Sequence, residues 1–519
     1  MLRFLVPLCC VLFVVLGLCF APYAGIQNDE AIFAVPLYEA SPASLALNLL
    51  NHSIPLMISD HIGALKSWLY WPIFAAFRPT VFSIRTPMIL TCALAIWIFF
   101  LFAKRTAGRG AALYAAVLLA SDPSFLLTGT FDWGPVALER LLIVAACLSL
   151  VRFGQEGSHA FLAAGFFTLG LALWNRADFV WALAGFTVAA AVLWREILAR
   201  MHWRTATLAA AAFIAGMLPL LIYNVSNPNA TLSTNARVEF NRFEGKFQQL
   251  RATADGSDLI GFLVANDSPD HQKPAGLTTT WIAKHFGEHR QSGMFWAYAL
   301  ALMAVPLWWK SKTARFALVY MLITWLSMAV TQNAGAAAHH AMMLWPFPQL
   351  FLAVALAAIP WSWAAAGLVT LLVSLNLLVI NQHMLQFQRD GAAGNFSDAL
   401  YPLSDALTET PGQTIYITDW GIFDTVMLFH WGHLTLQPEA ELVATETPNA
   451  QERQALTRIL SDPQGLFIGH VQDRESFEGN RKRIQQAAAL NGLQKQLLRI
   501  IFDSNARPVF EIFRFRPVH

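Results

Sequence analysis

Apolar residues occur along most of this chain in long blocks separated by short polar turns. From the N-terminus to about residue 382 the blocks reach the roughly 17–25 residues needed to cross a bilayer as helix. They predict about eleven transmembrane helices, at 4–23, 86–103, 111–128, 135–151, 160–174, 178–194, 205–223, 292–309, 315–332, 341–358 and 361–382. After residue 395 the period changes. Short β-rich runs such as "TIYITD" (414–419) and "GLFIGH" (465–470), with further strands near 496–502 and 508–515, alternate with helical patterns near 396–409, 421–430, 451–460 and 476–494. The pattern therefore predicts a polytopic α-helical membrane domain over 1–385, with large loops at 24–70 and 224–291, followed by an α/β domain over 395–519.

Composition agrees with lipid as the solvent. Of 519 residues, 56% are hydrophobic and 13% charged, and the mean hydropathy is +0.46, more apolar surface than one soluble core can bury. The net charge of +2 and the scattering of basic residues in short clusters argue against nucleic acid as a partner. All five cysteines lie in or beside apolar blocks, which gives neither a disulfide framework nor a Cys-x-x-Cys metal site. The first block has the charged start of a signal peptide, but two carboxylates follow it so closely that it is read as an uncleaved anchor.

Basic residues of short loops set the orientation. Arg3, then Lys104, Arg105 and Arg109, then Arg152, then Arg195, Arg200 and Arg204, then Lys310, Lys312 and Arg315 share one side if the helices alternate, and that side is assigned to the cytoplasm. The other side, outside the plasma (bacterial inner) membrane, receives the 24–70 and 224–291 loops, the "FDWGP" and "NRAD" turns, "QNAGAAAHH" and the α/β domain. Segment 224–291 is too long for a plain connection, so it is either a lid or a disordered stretch. The α/β domain lacks a glycine-rich phosphate loop and is expected to serve as a cap or acceptor surface.

Acids and bases gather on that outer side. Asp29 and Glu30 follow the first helix, Lys66 starts "LKSWLYW", and Asp132 stands in "TFDWGP" before a helix. These stretches, in this order, resemble the GT-C superfamily of polyprenyl-phosphate-dependent glycosyltransferases, in the branch of protein O-mannosyltransferases and lipid A aminoarabinose transferases. "NDEAIFA" is similar to the family's Asp-Glu motif, "LKSWLYW" to its Lys-Pro-Pro-Leu-Tyr-Trp-like helix start without the two prolines, and residues 83–150 to its Arg-x-Pro helix, basic turn and acidic helix start. "HHAMMLWPFPQLFLAVALA" is similar to a later proline-interrupted helix.

The resemblance implies sugar transfer from a polyprenyl-phosphate donor to a hydroxyl of a protein, lipid or glycan acceptor at the outer face. An acceptor alcohol needs a base to take its proton, and Asp29 is the candidate. Glu30 either tunes Asp29 by like charge or anchors the loop, and Asp132 either orients a substrate or caps its helix. The departing phosphate needs cations: Lys66 first, then Arg85, Arg176, His339 and His340. Lys66 can equally be a snorkelling lysine, and Arg176 can simply neutralise Asp178. The vicinal histidines lack the spacing of paired helical metal ligands, so neither metal nor cofactor is implied. Trp68, Trp71 and Trp133 either belong to the interfacial aromatic belt or line a substrate groove. A multi-pass transporter and a non-catalytic scaffold of cell-envelope assembly are the competing readings. Convergence of Asp29, Lys66 and Asp132 on one cavity would separate the enzyme from both.

Overall fold

A computed structural model describes residues 4–38, 43–49, 52–231, 237–266, 271–332, 334–410 and 412–518. Arg3, used above for orientation, and parts of the 24–70 and 224–291 loops lie outside the described residues. The first helix, α1 (Leu5–Phe20), leads to a one-turn helix α2 (Asn28–Ala31), a hairpin of β1 (Leu45–Leu49) and β2 (His52–Met57), then α3 (Leu65–Ala76) and α4 (Val81–Ala120). Next come α5 (Pro123–Thr130), α6 (Val136–Glu156), α7 (His159–Asn175), α8 (Val180–Ala189), α9 (Trp194–Arg200) and α10 (Trp203–Ser226). The helical body closes with α11 (Phe243–Asp255), α12 (Leu277–Phe286), α13 (Met294–Met303), α14 (Val305–Trp308), α15 (Lys312–Ala329), α16 (Ala338–Ala341), α17 (Phe347–Ala357) and α18 (Ser362–Asp390).

Among the described residues, five helices are long and apolar enough to cross a membrane unaided, or six if the pair 338–344 and 347–357, bent by 45°, is one broken span. These helices make the chain an integral membrane protein. Other expected spans are shorter or interrupted. The expected 86–103 and 111–128 spans lie in α4 as two helices that meet at a kink at Gly108, whose φ of 83° is outside the helical region. Asp122 then starts α5 by accepting the Phe125 amide at 2.9 Å, and its other oxygen accepts Trp345 Nε1 (2.9 Å) and Gln349 Nε2 (2.8 Å), tying α5 to α17 inside the bundle. The 292–309 block divides into the short α13 and α14.

Glycine sets the closest helix crossing. A Cβ on Gly216 of α10 would lie 2.2 Å from the Phe167 carbonyl oxygen of α7, and one on Gly170 would lie 2.2 Å from that of Phe213. Backbones in contact through small residues are a membrane solution, because lipid offers helices no hydrophobic drive to associate. Gly216→Val is therefore expected to cost about 1–3 kcal/mol by overpacking. Thermal unfolding in detergent checks this, and an unchanged melting temperature would mean that the two backbones do not touch.

Beyond α18 lie α19 (Leu400–Thr408), β3 (Thr414–Ile417), α20 (Phe423–Phe429), β4 (Thr435–Pro438), α21 (Ala440–Ala444), α22 (Ala450–Leu460), β5 (Leu466–His470), α23 (Asn480–Leu490), β6 (Leu493–Phe502) and β7 (Pro508–Pro517). The sheet order is β4-β3-β5-β7-β6; β3 runs parallel to β4 and β5, while β7 is antiparallel to β5 and β6. Strand alternation divides its side chains between two cores. Tyr416, Phe467, Phe513 and Phe515 pack with Leu456, Ile459 and Ile484 of α22 and α23. Ile415, Ile417, Ile468 and Ile512 join the same continuous cluster as the helical body. The inner face of the sheet is thus seated on the membrane part, beside α2.

Candidate functional site

A cavity of about 320 Å³ opens at the end of the helical body that carries α2 and the β1–β2 hairpin. Its walls include Asp29, Trp133, Arg176, Asp178, His339 and His340. Four of the eight residues singled out in the sequence therefore meet there. The other four, Glu30, Lys66, Arg85 and Asp132, lie behind the walls in two buried ion pairs.

Asp29 is presented by α2, a single turn that its own side chains define. Gln27 Oε1 accepts the Asp29 amide at 2.6 Å, and Glu30 Oε1 accepts the Gln27 amide at 3.1 Å, a reciprocal cap that closes the turn. The Glu30 carboxylate points away from Asp29 and takes a bidentate pair from Arg85, Nε to Oε2 at 2.8 Å and Nη2 to Oε1 at 2.7 Å. Arg85 gives its remaining protons to the carbonyls of Ala21, Ala24 and Gly25 at 2.5, 2.9 and 2.7 Å. All five donors of this guanidinium are used, three on carbonyls before Asp29 and two on Glu30 just after it. Arg85, expected above as a phosphate contact, therefore has its N–H groups engaged within the protein. Of the two roles offered above for Glu30, these bonds are those of an anchor for the loop.

Lys66, on the first turn of α3, is fully buried. Its three protons go to Asp132 Oδ2 at 2.8 Å, Asp132 O at 2.7 Å and Gly134 O at 2.7 Å, and the ammonium lies 4.6 Å from the centroid of Phe33. The other Asp132 oxygen accepts the Ala137 amide at 2.9 Å at the start of α6. Together they fix the 132–135 turn, which supplies Trp133, Gly134 and Pro135 to the cavity wall. Neither Lys66 nor Asp132 lines the cavity, so the three-residue convergence expected above reduces to Asp29 at the surface and a buried pair supporting the wall. The missing signal was long-range: nothing in "LKSWLYW" shows that an acid 66 positions away will use up its lysine.

The cationic wall differs, because donors remain. Arg176 follows α7 and is held by Asp178, whose Oδ2 accepts Nε at 3.1 Å and Nη2 at 3.0 Å. Its Nη1 is buried and makes no hydrogen bond among the described residues. Trp133 Nε1 donates to His339 Nδ1 at 2.9 Å, which leaves the proton of a neutral imidazole on Nε2. His340 packs edge-on to Trp181, and its Nδ1 is likewise without a partner among the described residues. Trp133 thus belongs to the site, whereas Trp68 and Trp71 are each 40% exposed. His61, Trp181 and Gln332 also line the cavity without having been singled out. Their side chains reach it from segments far apart in the chain, Trp181 from the first turn of α8, so spacing along the chain gave no sign of them.

Asp29 is partly exposed to the cavity, yet the protein around it excludes bulk water. Burial raises its carboxyl above the ordinary range, opposed by the Gln27 hydrogen bond, the Lys66 charge and a hydrogen bond from Asn28. A raised carboxyl is a stronger base once ionised, which suits proton removal from an alcohol. Among the described residues, no three His, Cys, Asp or Glu side chains converge in a way that could hold a metal ion.

Comparison with known proteins follows the same lines. The family profile "Dolichyl-phosphate-mannose-protein mannosyltransferase" matches residues 63–223, from just before α3 to the end of α10. Comparison of the sequence with curated proteins returns no match. Among solved structures, ArnT from Cupriavidus metallidurans bound to undecaprenyl phosphate superposes with a TM-score of 0.60 at 13% identity, covering 98% of this chain and 97% of that one. Its apo state gives 0.59 at 12% identity with the same coverage. The oligosaccharyltransferase of Archaeoglobus fulgidus gives 0.50 at 12% identity, covering 90% of this chain and 70% of that one. The chain is thus similar over 63–223 to the dolichyl-phosphate-mannose-protein mannosyltransferase family, and over nearly its whole length it shares the fold of ArnT.

Proposed function

We propose that this protein transfers a sugar from a polyprenyl-phosphate donor to an acceptor hydroxyl at the extracytoplasmic face, with Asp29 as general base. The observation that carries the reading is the shared cavity: one carboxylate with a raised pKa faces a wall on which Arg176 keeps a buried, unspent N–H. Asp29 takes the acceptor's proton as the new glycosidic bond forms and the bond from the sugar's anomeric carbon to the phosphate oxygen breaks. The leaving polyprenyl phosphate gathers negative charge. Arg176 Nη1 and the Nε2 proton of His339 are placed to meet it, while Asp178 keeps the guanidinium oriented. The buried pairs Glu30–Arg85 and Lys66–Asp132 hold the two walls in register. The ArnT structure that shares this fold was solved with undecaprenyl phosphate bound, which supports a lipid phosphate as the donor's carrier.

The test is transfer from a panel of labelled polyprenyl-phosphate sugars in vesicles containing the purified protein, with donor binding measured separately. Arg176→Gln is expected to weaken donor binding by about ten- to hundredfold, the loss of a charge-assisted hydrogen bond to phosphate. If no donor in the panel is bound or consumed, the glycosyltransferase reading fails. A donor bound equally well by Arg176→Gln would move the phosphate elsewhere.

A further inference from the structure

The catalytic turn does not stand on the membrane domain alone. Thr425, fully buried on α20, donates from Oγ1 to the Ile26 carbonyl at 3.0 Å. Next to it, the Asp424 amide donates to Asn28 Oδ1 at 3.2 Å. Upstream, the Gly25 amide donates to the Phe396 carbonyl at 2.7 Å, and a Cβ on Gly25 would lie 2.1 Å from the Ser397 carbonyl oxygen. Residues 25–28 are therefore gripped from the sheet side, while Arg85 holds Gly25 and the flanking Ala21, Ala24 and Glu30 from the membrane side. Asn28 is the link to the chemistry, because it directly precedes Asp29 in the turn and its side-chain oxygen is held by the Asp424 amide. Burial and the nearby Asp29 charge push Asp424 up to about 7, so the two carboxyls are electrostatic neighbours.

We propose that the C-terminal α/β unit is a working part of the transferase site: α20 clamps the 25–30 turn through Thr425 and Asp424 and, by way of Asn28, aims the Asp29 carboxylate into the cavity. Asn28, Asp424 and Thr425 are then positioning residues. None of them lines the cavity, and none touches the reacting atoms. The rigidity comes from packing. Val426, Met427 and Leu428 of α20 belong to the same continuous core as the inner face of the sheet and the helical body, so α20 cannot shift without disturbing both. A general base works only within hydrogen-bond reach of its proton, and displacement of about 1 Å can cost on the order of a hundredfold in rate.

This inference rests on Asp29 as the base, and the experiment separates the two claims. Thr425→Val removes the hydroxyl and keeps the shape of the side chain; Thr425→Ser keeps the hydroxyl. In the full chain in vesicles, amide hydrogen exchange over 25–31 is expected to rise about tenfold in Thr425→Val, because the turn opens more easily. In the same variant kcat should fall about tenfold with donor binding unchanged, and Thr425→Ser should restore both. Unchanged exchange would show that no clamp exists, and raised exchange with unchanged kcat would show that the clamp does not aim the base; either overturns the proposal. If Thr425→Val does not accumulate, Asn28→Ala cuts the same link from the membrane side and is read identically. Exchange is measured without substrate, so it reports the clamp even if Asp29→Asn were to retain full transfer.

Discussion

Asp29→Asn is expected to abolish transfer while the donor still binds. The amide nearly matches the carboxylate in size but accepts no proton, so kcat should fall by about 10²–10⁴-fold, the range that a positioned general base contributes. Donor affinity should hold if, as proposed, the phosphate is received by Arg176 and the histidines, which line the same cavity. The pH profile adds an independent mark. Burial raises the Asp29 carboxyl; its proton must be off for catalysis, so rate is present above the raised pKa and is lost as pH falls through it. The acidic limb of kcat should therefore lie at higher pH than an exposed aspartate would give, and should vanish from any residual activity of Asp29→Asn. Undiminished transfer by the variant would remove Asp29 from the reaction.

Arg85→Ala is expected to have the largest effect on stability. It would leave the Glu30 carboxylate buried without its ion partner, together with three backbone carbonyls that lose their donors. Breaking a buried, hydrogen-bonded ion pair from one side costs about 3–5 kcal/mol, most of it the penalty of the stranded charge. Melting in detergent should fall accordingly. The double replacement Glu30→Gln with Arg85→Met should be less harmful than Arg85→Ala, because it strands no charge. A melting temperature unaffected by Arg85→Ala would mean that the pair does not anchor the turn.

Some of this was readable along the chain. Blocks of apolar residues marked where most of the helices lie, since in lipid every backbone amide must be satisfied inside its own helix and the blocks record that requirement, but not where a helix is broken or runs on past its block. The strands at 414–417 and 466–470 announced themselves by alternation, whereas β4 (Thr435–Pro438), only four residues long, did not. Asp29, Arg176, His339 and His340 could be chosen because charged and imidazole groups at a membrane boundary are costly and rarely idle.

Which of the candidates still hold unused donors could not be read in this way. Lys66 and Arg176 are both basic residues near the ends of apolar blocks, yet the first has three protein acceptors and the second has an Nη1 with no acceptor among the described residues. Asp424 and Thr425 lie almost 400 positions from the turn they hold, in a segment with no motif of its own. The sequence by itself determined that the chain lives in the membrane, where its helices begin, and which acids and bases gather at one boundary, because hydrophobic burial and charge cost act on each segment separately. Only the tertiary structure decided which charges neutralise one another, which face the cavity and what steadies the base, because hydrogen-bond partners are assigned by proximity in space, and a linear pattern carries no record of it.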